Sequence, residues 1–348
     1  MVDIEVKRDR LCIRYKNKKW DWMIEPRYWR NSILWTAALL LFPLVSYFLY
    51  PGLVNTMVTA NIYTCIAIPL ALMTVGTGRI NFGPNFYLGV GGYTAALLSI
   101  HLGMNPLLTL PFAIIMTVFM AVIFSPLVIM ARGLYYVLLS LLLPLVFLEV
   151  TMIYSNIFKG DVGLFGIEHL FRFESSSINF MVAAYFSAIL MLIFLVVANK
   201  VLKSRYGLLM AAINDDEDVA RGIGVNINKV KIISFVGAAG MIGIVGWFIA
   251  HYYGTFAGIT YLPLTFMLKV LLVFLIGGRA QVFGCVVGGY FVSFLEMILI
   301  RTTGEFSAVL FPIILLVLLF TLPRGEGLFG LYRRRRYREY MAQTHVRR

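Results

Sequence analysis

Charge is scarce in this chain. Only 14% of its 348 residues are Asp, Glu, Lys or Arg, against about 25% in an ordinary soluble domain. Hydrophobic residues make up 60%, which excludes disorder, because disordered chains cannot bury that much apolar surface. Cysteine is also sparse. Cys12, Cys65 and Cys285 form no CxxC pair, so neither a disulfide scaffold nor zinc or iron–sulfur spacing is present. The four histidines are far apart. No G-x-x-x-x-G-K-[ST] loop exists to cradle nucleotide phosphates, and G-x-S-x-G and H-E-x-x-H are missing too. The chain therefore shows no catalytic constellation and is expected not to be an enzyme. Residues 1–30 contain no short apolar core ahead of a small-residue cleavage site, so a cleaved signal peptide is not expected.

What the chain has instead is long apolar runs. Crossing the hydrocarbon of a bilayer takes ~20 apolar residues. Ten runs qualify: Ile33–Tyr50, Leu53–Val75, Phe86–His101, Pro106–Met130, Leu134–Tyr154, Phe180–Asn199, Ile232–Tyr253, Pro263–Ile276, Phe283–Ile300 and Phe306–Leu322. The expected fold is an all-α polytopic transmembrane helical bundle of about ten spans, or eight if the Gly-rich segments are re-entrant. Residues 1–30 read as a basic N-terminal segment, 31–322 as the membrane domain with a polar loop at 200–231, and 323–348 as a basic tail.

The net charge of +13 is concentrated. Lys and Arg exceed Asp and Glu in residues 1–30, in the loop 200–231 and in the tail, which includes the run Arg333–Arg336. Cationic residues beside apolar spans are retained in the cytoplasm and attract anionic lipid headgroups. Membrane lipid, not nucleic acid, is the expected partner of these stretches. With both termini inside, every inner turn carries excess positive charge and no outer loop does. A ladder of arginines for voltage sensing is absent.

One pattern occurs twice. Gly78-Arg79, Phe82-Gly83 and Val90-Gly91-Gly92-Tyr93 recur as Gly278-Arg279, Phe283-Gly284 and Val287-Gly288-Gly289-Tyr290. Small residues allow close helix packing, but paired glycine interruptions in two halves also point to a transport pathway. Gly78, Gly83, Gly277, Gly278 and Gly284 are the expected helix breaks. Both breaks fall on the inner side in this span count, implying a parallel repeat; one span more or fewer would make it inverted. Polar groups beside such breaks are tolerated where they line a cavity, which nominates Asn81, Asn85 and Tyr93. Inside the spans the ionisable residues are Glu149, Lys269 and Glu296. Such groups are costly and normally pair or face water. Lys269 can pair with Glu149 or Glu296 to hold helices together, or the three can face a substrate pathway. His251, at the outer end of a span, reads as an interfacial hydrogen bonder.

The polar loop runs Ser204-Arg205-Tyr206-Gly207 through Asp215-Asp216-Glu217-Asp218 to Ala220-Arg221-Gly222 and Gly224-Val225. Asn214 or Asp215 can cap a short helix, whose positive N-terminus suits the acids, and Gly222 or Gly224 can end it. The result is either a solvated connector or a rigid knob for a cytoplasmic partner.

At this loop the chain resembles the inner-membrane permease subunits of branched-chain amino-acid ABC importers. The matching residues are Arg205, Gly207, Ala212-Ile213, Asp215-Asp216-Glu217, Ala220 and Gly224-Val225-Asn226. Phe82-Gly83, Gly89 through Leu98, Arg132 through Tyr136, Ala250 through Gly254, Gly277-Gly278 with Gly284, and Gly327 through Gly330 agree in order. Leu134, Pro84, Lys159 and Lys269 depart from the residues usual there. The resemblance implies a transport subunit for a small polar solute, branched-chain amino acids above all, in a prokaryotic inner membrane. It implies that Arg205, Gly207, Asp215, Asp216, Glu217, Ala220, Arg221 and Gly224 couple to two ATP-binding cassette subunits. These would hold ATP and Mg²⁺, with no cofactor or metal in this chain. A homologous or identical permease and an extracytoplasmic solute-binding protein complete the expected assembly. The alternatives are an ion-gradient-driven secondary transporter, or an ABC permease for urea or short amides.

Overall fold

The computed structural model describes residues 3–7, 10–15, 18–23, 51–131, 133–173, 175–222, 224–278 and 282–321. The first expected span, Ile33–Tyr50, and the basic tail lie outside these residues. The chain divides into two units, residues 1–54 and 55–348.

The first unit holds an antiparallel sheet of β1 (Asp3–Lys7), β2 (Arg10–Tyr15) and β3 (Lys18–Met23). Its register sets apolar positions opposite one another: Ile4 with Ile13, Ile13 with Trp20, Val6 with Leu11, and Leu11 with Trp22. The sequence alternates apolar and polar through these stretches, the period-two signature of a strand. Reading residues 1–30 only for charge missed it.

The second unit is helical. Besides a short antiparallel strand pair, Leu164–Phe165 with Thr255–Phe256, its α-helices are α1 (Pro51–Thr77), α2 (Pro84–Leu102), α3 (Pro106–Met130), α4 (Leu134–Ile153), the single turn α5 (Ser155–Phe158), α6 (Ser176–Lys203), α7 (Arg205–Asp215), α8 (Glu217–Gly222), α9 (Ile227–Tyr253), the single turn α10 (Gly258–Tyr261), α11 (Leu264–Gly277), α12 (Val282–Thr303) and α13 (Ser307–Thr321). All nine expected spans within the described residues coincide with helices. Seven helical stretches there are long and apolar enough to cross a membrane. Helix α2 is not among them, although it is deeply enclosed: from Pro84 to Tyr93 every residue is buried. It packs between α3 and α9.

Glycine makes that packing possible. A Cβ on Gly246 of α9 would lie 2.1 Å from the Leu88 carbonyl oxygen, and one on Gly91 would lie 2.3 Å from that of Gly243. Backbones this close leave no room for side chains, the small-residue contact typical of membrane helices. Helices α11 and α12 meet in the same way, Gly277 against Gly284 and Gly288 against the Val273 carbonyl.

Gly78 follows α1 with φ +71°, and Gly278 follows α11 with φ +102°, left-handed conformations that glycine adopts without strain. Gly83 precedes α2 and Gly277 ends α11, as expected of breaks. Gly284 does not break a helix. It lies in the first turn of α12, and its lack of a side chain serves the α11–α12 contact. Helix α12 runs antiparallel to α1: the Tyr290 hydroxyl donates to Asn61, Gly289 lies against Thr64 and the Cys285 thiol faces the Ala67 carbonyl. The start of α12 therefore lies at the end of α1, and both breaks share one end of the bundle, as a parallel repeat requires.

Candidate functional site

Two charged centres stand out in the helical unit. The first joins the polar loop to the first break. The loop forms two helices, not one. Ser204 caps α7 by accepting from the Gly207 N–H at 3.3 Å. Asp216, rather than Asn214 or Asp215, caps α8: its Oδ1 accepts from the N–H groups of Asp218 and Val219 at 2.9 and 3.0 Å. A side-chain oxygen here satisfies donors that the helix cannot. The Tyr206 hydroxyl donates to the Val230 carbonyl at 2.6 Å and fastens α7 to α9. Burial holds its phenol above the usual pKa.

Glu217 is the hub. One carboxylate oxygen lies 2.7 Å from Lys231 Nζ on α9 and 3.1 Å from Arg79 Nη2 in the break after α1. The other lies 3.5 Å from Arg221 Nη2, one turn along α8. Lys231 is 1% exposed, a depth at which a charged side chain needs a partner. Arg79 also donates through Nη1 to the Ala131 carbonyl at the α3–α4 turn. A Cβ on Gly78 would touch Asn214, so the break lies directly against the loop.

The expected coupling residues thus divide. Glu217 faces inward. Gly207, whose Cβ would meet the Leu202 carbonyl at 2.2 Å, buried Ala220 and Gly224 with φ +86° shape the loop itself. Arg205, Asp215, Asp216, Asp218 and Arg221 are exposed. Beside them are two residues that the sequence reading did not nominate: Leu208 and Val219, 69% and 63% exposed. The signal was available for Val219, which interrupts the polar stretch Asp215–Arg221, but not for Leu208, which lies in an apolar run.

The break is held by its own polar groups. Asn81 Oδ1 accepts from the Gly83 N–H at 2.6 Å, and Ser140 Oγ accepts from the Phe82 N–H at 3.0 Å. Asn85 Nδ2 donates to the Pro263 carbonyl at 3.3 Å. Asn85 Oδ1 and the Tyr93 hydroxyl are buried without a completed hydrogen bond among the described residues. Asn81, Asn85 and Tyr93 are enclosed in the packing of α2.

The second centre is the pair Lys269 on α11 and Glu296 on α12, with Nζ–Oε1 2.6 Å. The Tyr63 hydroxyl donates to the other oxygen of Glu296 at 3.4 Å, and Lys269 Nζ stands 5.8 Å over the Phe311 ring. Glu149 takes no part. It is exposed on α4, and the structure chooses Glu296 as the lysine's partner. His251 behaves as the expected hydrogen bonder: Nδ1 donates to the Glu168 carbonyl at 2.6 Å, and Nε2 lies 2.8 Å from Thr109 Oγ1. Among the described residues no cluster of His, Cys, Asp or Glu could hold a metal ion.

The sequence is similar to known proteins. Residues 52–322 match the family described as the permease component of branched-chain amino acid transport systems. The chain is 22% identical over 255 residues to a probable branched-chain amino acid transport permease protein, LivH, of Methanocaldococcus jannaschii, covering 70% of this chain and 79% of the relative. No solved structure matches. The family match spans most of the chain, and the apolar helices agree with it: this protein belongs to the branched-chain amino-acid permease family of ABC importers and is a multi-pass transport subunit of a prokaryotic plasma membrane.

Proposed function

We propose that this chain forms the solute pathway for branched-chain amino acids, while separate subunits hydrolyse ATP. Two ATP-binding cassette subunits dock on the α7–α8 loop and hold the ATP and Mg²⁺; this chain binds no cofactor of its own. It pairs with itself or a homologous permease, and an extracytoplasmic solute-binding protein delivers the solute. The observation that carries this reading is the Glu217 hub. It makes the loop and the first break one mechanical unit, so force on the loop reaches the membrane helices. Direction arises if the ATP-bound and ATP-free partners favour different positions of that unit.

Leu208 and Val219 supply the docking contact, flanked by the exposed acids Asp215, Asp216 and Asp218. Each such aliphatic side chain, once covered, contributes ~1.5–3 kcal/mol. Leu208→Gln with Val219→Gln is therefore expected to lower co-purification of the ATPase subunits tenfold or more, with an unchanged melting temperature. Full retention of the ATPase subunits would place docking elsewhere.

A further inference from the structure

Lys269, paired with Glu296, stands between two cavities. One, of about 230 Å³, is lined by hydroxyl-bearing residues including Thr59, Tyr63, Tyr253 and Thr260, and Lys269 forms part of its wall. The other, of about 590 Å³, runs along α11 past Leu268, Leu272 and Leu275, and both Lys269 and Glu296 line it. Thr265 and Lys269 belong to both walls. The polar cavity borders the end of α9 and the start of α1. The aliphatic one extends along α11 towards its glycine break, at the opposite end of the bundle.

The two charges remain reachable, with side-chain exposures of 30% for Lys269 and 19% for Glu296. They are also oriented: the Tyr63 hydroxyl holds the carboxylate, and the Phe311 ring lies beneath the ammonium. A pair whose purpose is to fasten helices gains from complete enclosure by protein; here Lys269 faces both cavities and Glu296 faces the larger one. Its chemistry is the complement of an α-amino acid. A carboxylate for an ammonium, an ammonium for a carboxylate, and leucine walls for a branched alkyl chain occupy one place.

We propose that Lys269 and Glu296 are the recognition site for the zwitterionic backbone of the solute, with the leucine-lined trough receiving its side chain. The solute enters by exchanging partners: its carboxylate replaces Glu296 on Lys269, and its ammonium replaces Lys269 on Glu296. Charge is balanced before and after, so neither residue is left as an isolated ion in the membrane. The site rests on the proposed transport of branched-chain amino acids and adds where and by what groups they are held.

The test uses the full assembly with its ATPase and solute-binding subunits in proteoliposomes, reading uptake of radiolabelled leucine. Lys269→Met and Glu296→Gln are each expected to raise KM ~10–100-fold, the worth of one charge-assisted hydrogen bond. Removing one charge strands the other and can impair folding, so the decisive variant is the double substitution, which strands neither. It is expected to fold, to keep its ATPase subunits, and still to show the raised KM. A fastening pair predicts the reverse: single variants impaired, the double variant restored to wild-type KM. That restoration overturns the site and leaves the transport reading standing. So does a double variant with normal KM that no longer pairs with its permease partner, which would make the trough a seam between subunits. If the wild-type assembly takes up urea but neither leucine, leucinamide nor 4-methylpentanoate, the amino-acid reading itself fails and the site with it.

Discussion

Glu217→Gln is expected to cost about 3 kcal/mol of stability and to reduce solute uptake to below a tenth of wild type. Glutamine keeps the shape and removes the charge that Lys231, Arg79 and Arg221 share. Breaking a buried ion pair by neutralising one partner costs about 3–5 kcal/mol. The lower end applies because the Glu217 side chain is 26% exposed and water recovers part of the loss. The two effects separate in a second variant. Glu217→Gln with Lys231→Met removes the most deeply buried charge together with its counterion, so most of the stability should return. Uptake should not, because Arg79 in the break still lacks its Glu217 partner on the loop. Thermal melting and uptake, measured on the single and double variants, check this. If the double variant regains uptake along with stability, the hub is a fastening only and does not transmit force.

Gly246→Ala is expected to prevent the helices from assembling, whereas Gly237→Ala nine residues earlier on α9 should be neutral or stabilising. The added methyl group at Gly246 would sit 2.1 Å from the Leu88 carbonyl oxygen and 2.8 Å from the Gly92 nitrogen. Both are backbone atoms and cannot rotate away, so α2 and α9 must separate. Overfilling a packed core costs about 1–3 kcal/mol when side chains can adjust; here the adjustment must come from a whole helix, and little folded protein should be recovered. At Gly237 nothing lies within 4 Å, and alanine gains up to about 1 kcal/mol of helix preference. The yield of monodisperse protein and its melting temperature in detergent distinguish the two. Equal behaviour would contradict the α2–α9 packing.

The helices were legible in the sequence because one physical demand, enough apolar length to cross hydrocarbon, writes itself as long runs; Pro106–Met130 has the same bounds in both readings. The glycine breaks at Gly78 and Gly278 were legible because few residues tolerate a positive φ. Directions were not. Asp215, Asp216, Glu217 and Asp218 look alike as a run of acids, yet one faces into the bundle and the others face out. What selects Glu217 is the meeting of Arg79, 138 positions earlier, with Lys231, and no local pattern encodes that. Gly284 misled for a related reason. A glycine that ends a helix and one that admits a neighbouring backbone read the same until the neighbour is known. Lys269 had two candidate partners in the sequence, and only the antiparallel course of the helices separated Glu296 from Glu149.

The enclosure of α2 has a consequence for how the protein is made. This helix carries three glycines, two tyrosines and Asn85 and is too polar to count among the self-sufficient spans. Its main cover, α9, begins at Ile227, well over a hundred residues after α2 ends at Leu102. At ordinary translation speeds that is a delay on the order of ten seconds. Until α9 is made, the nascent α2 has α3 as its main neighbour, and the face that α9 later covers stays without its helical partner.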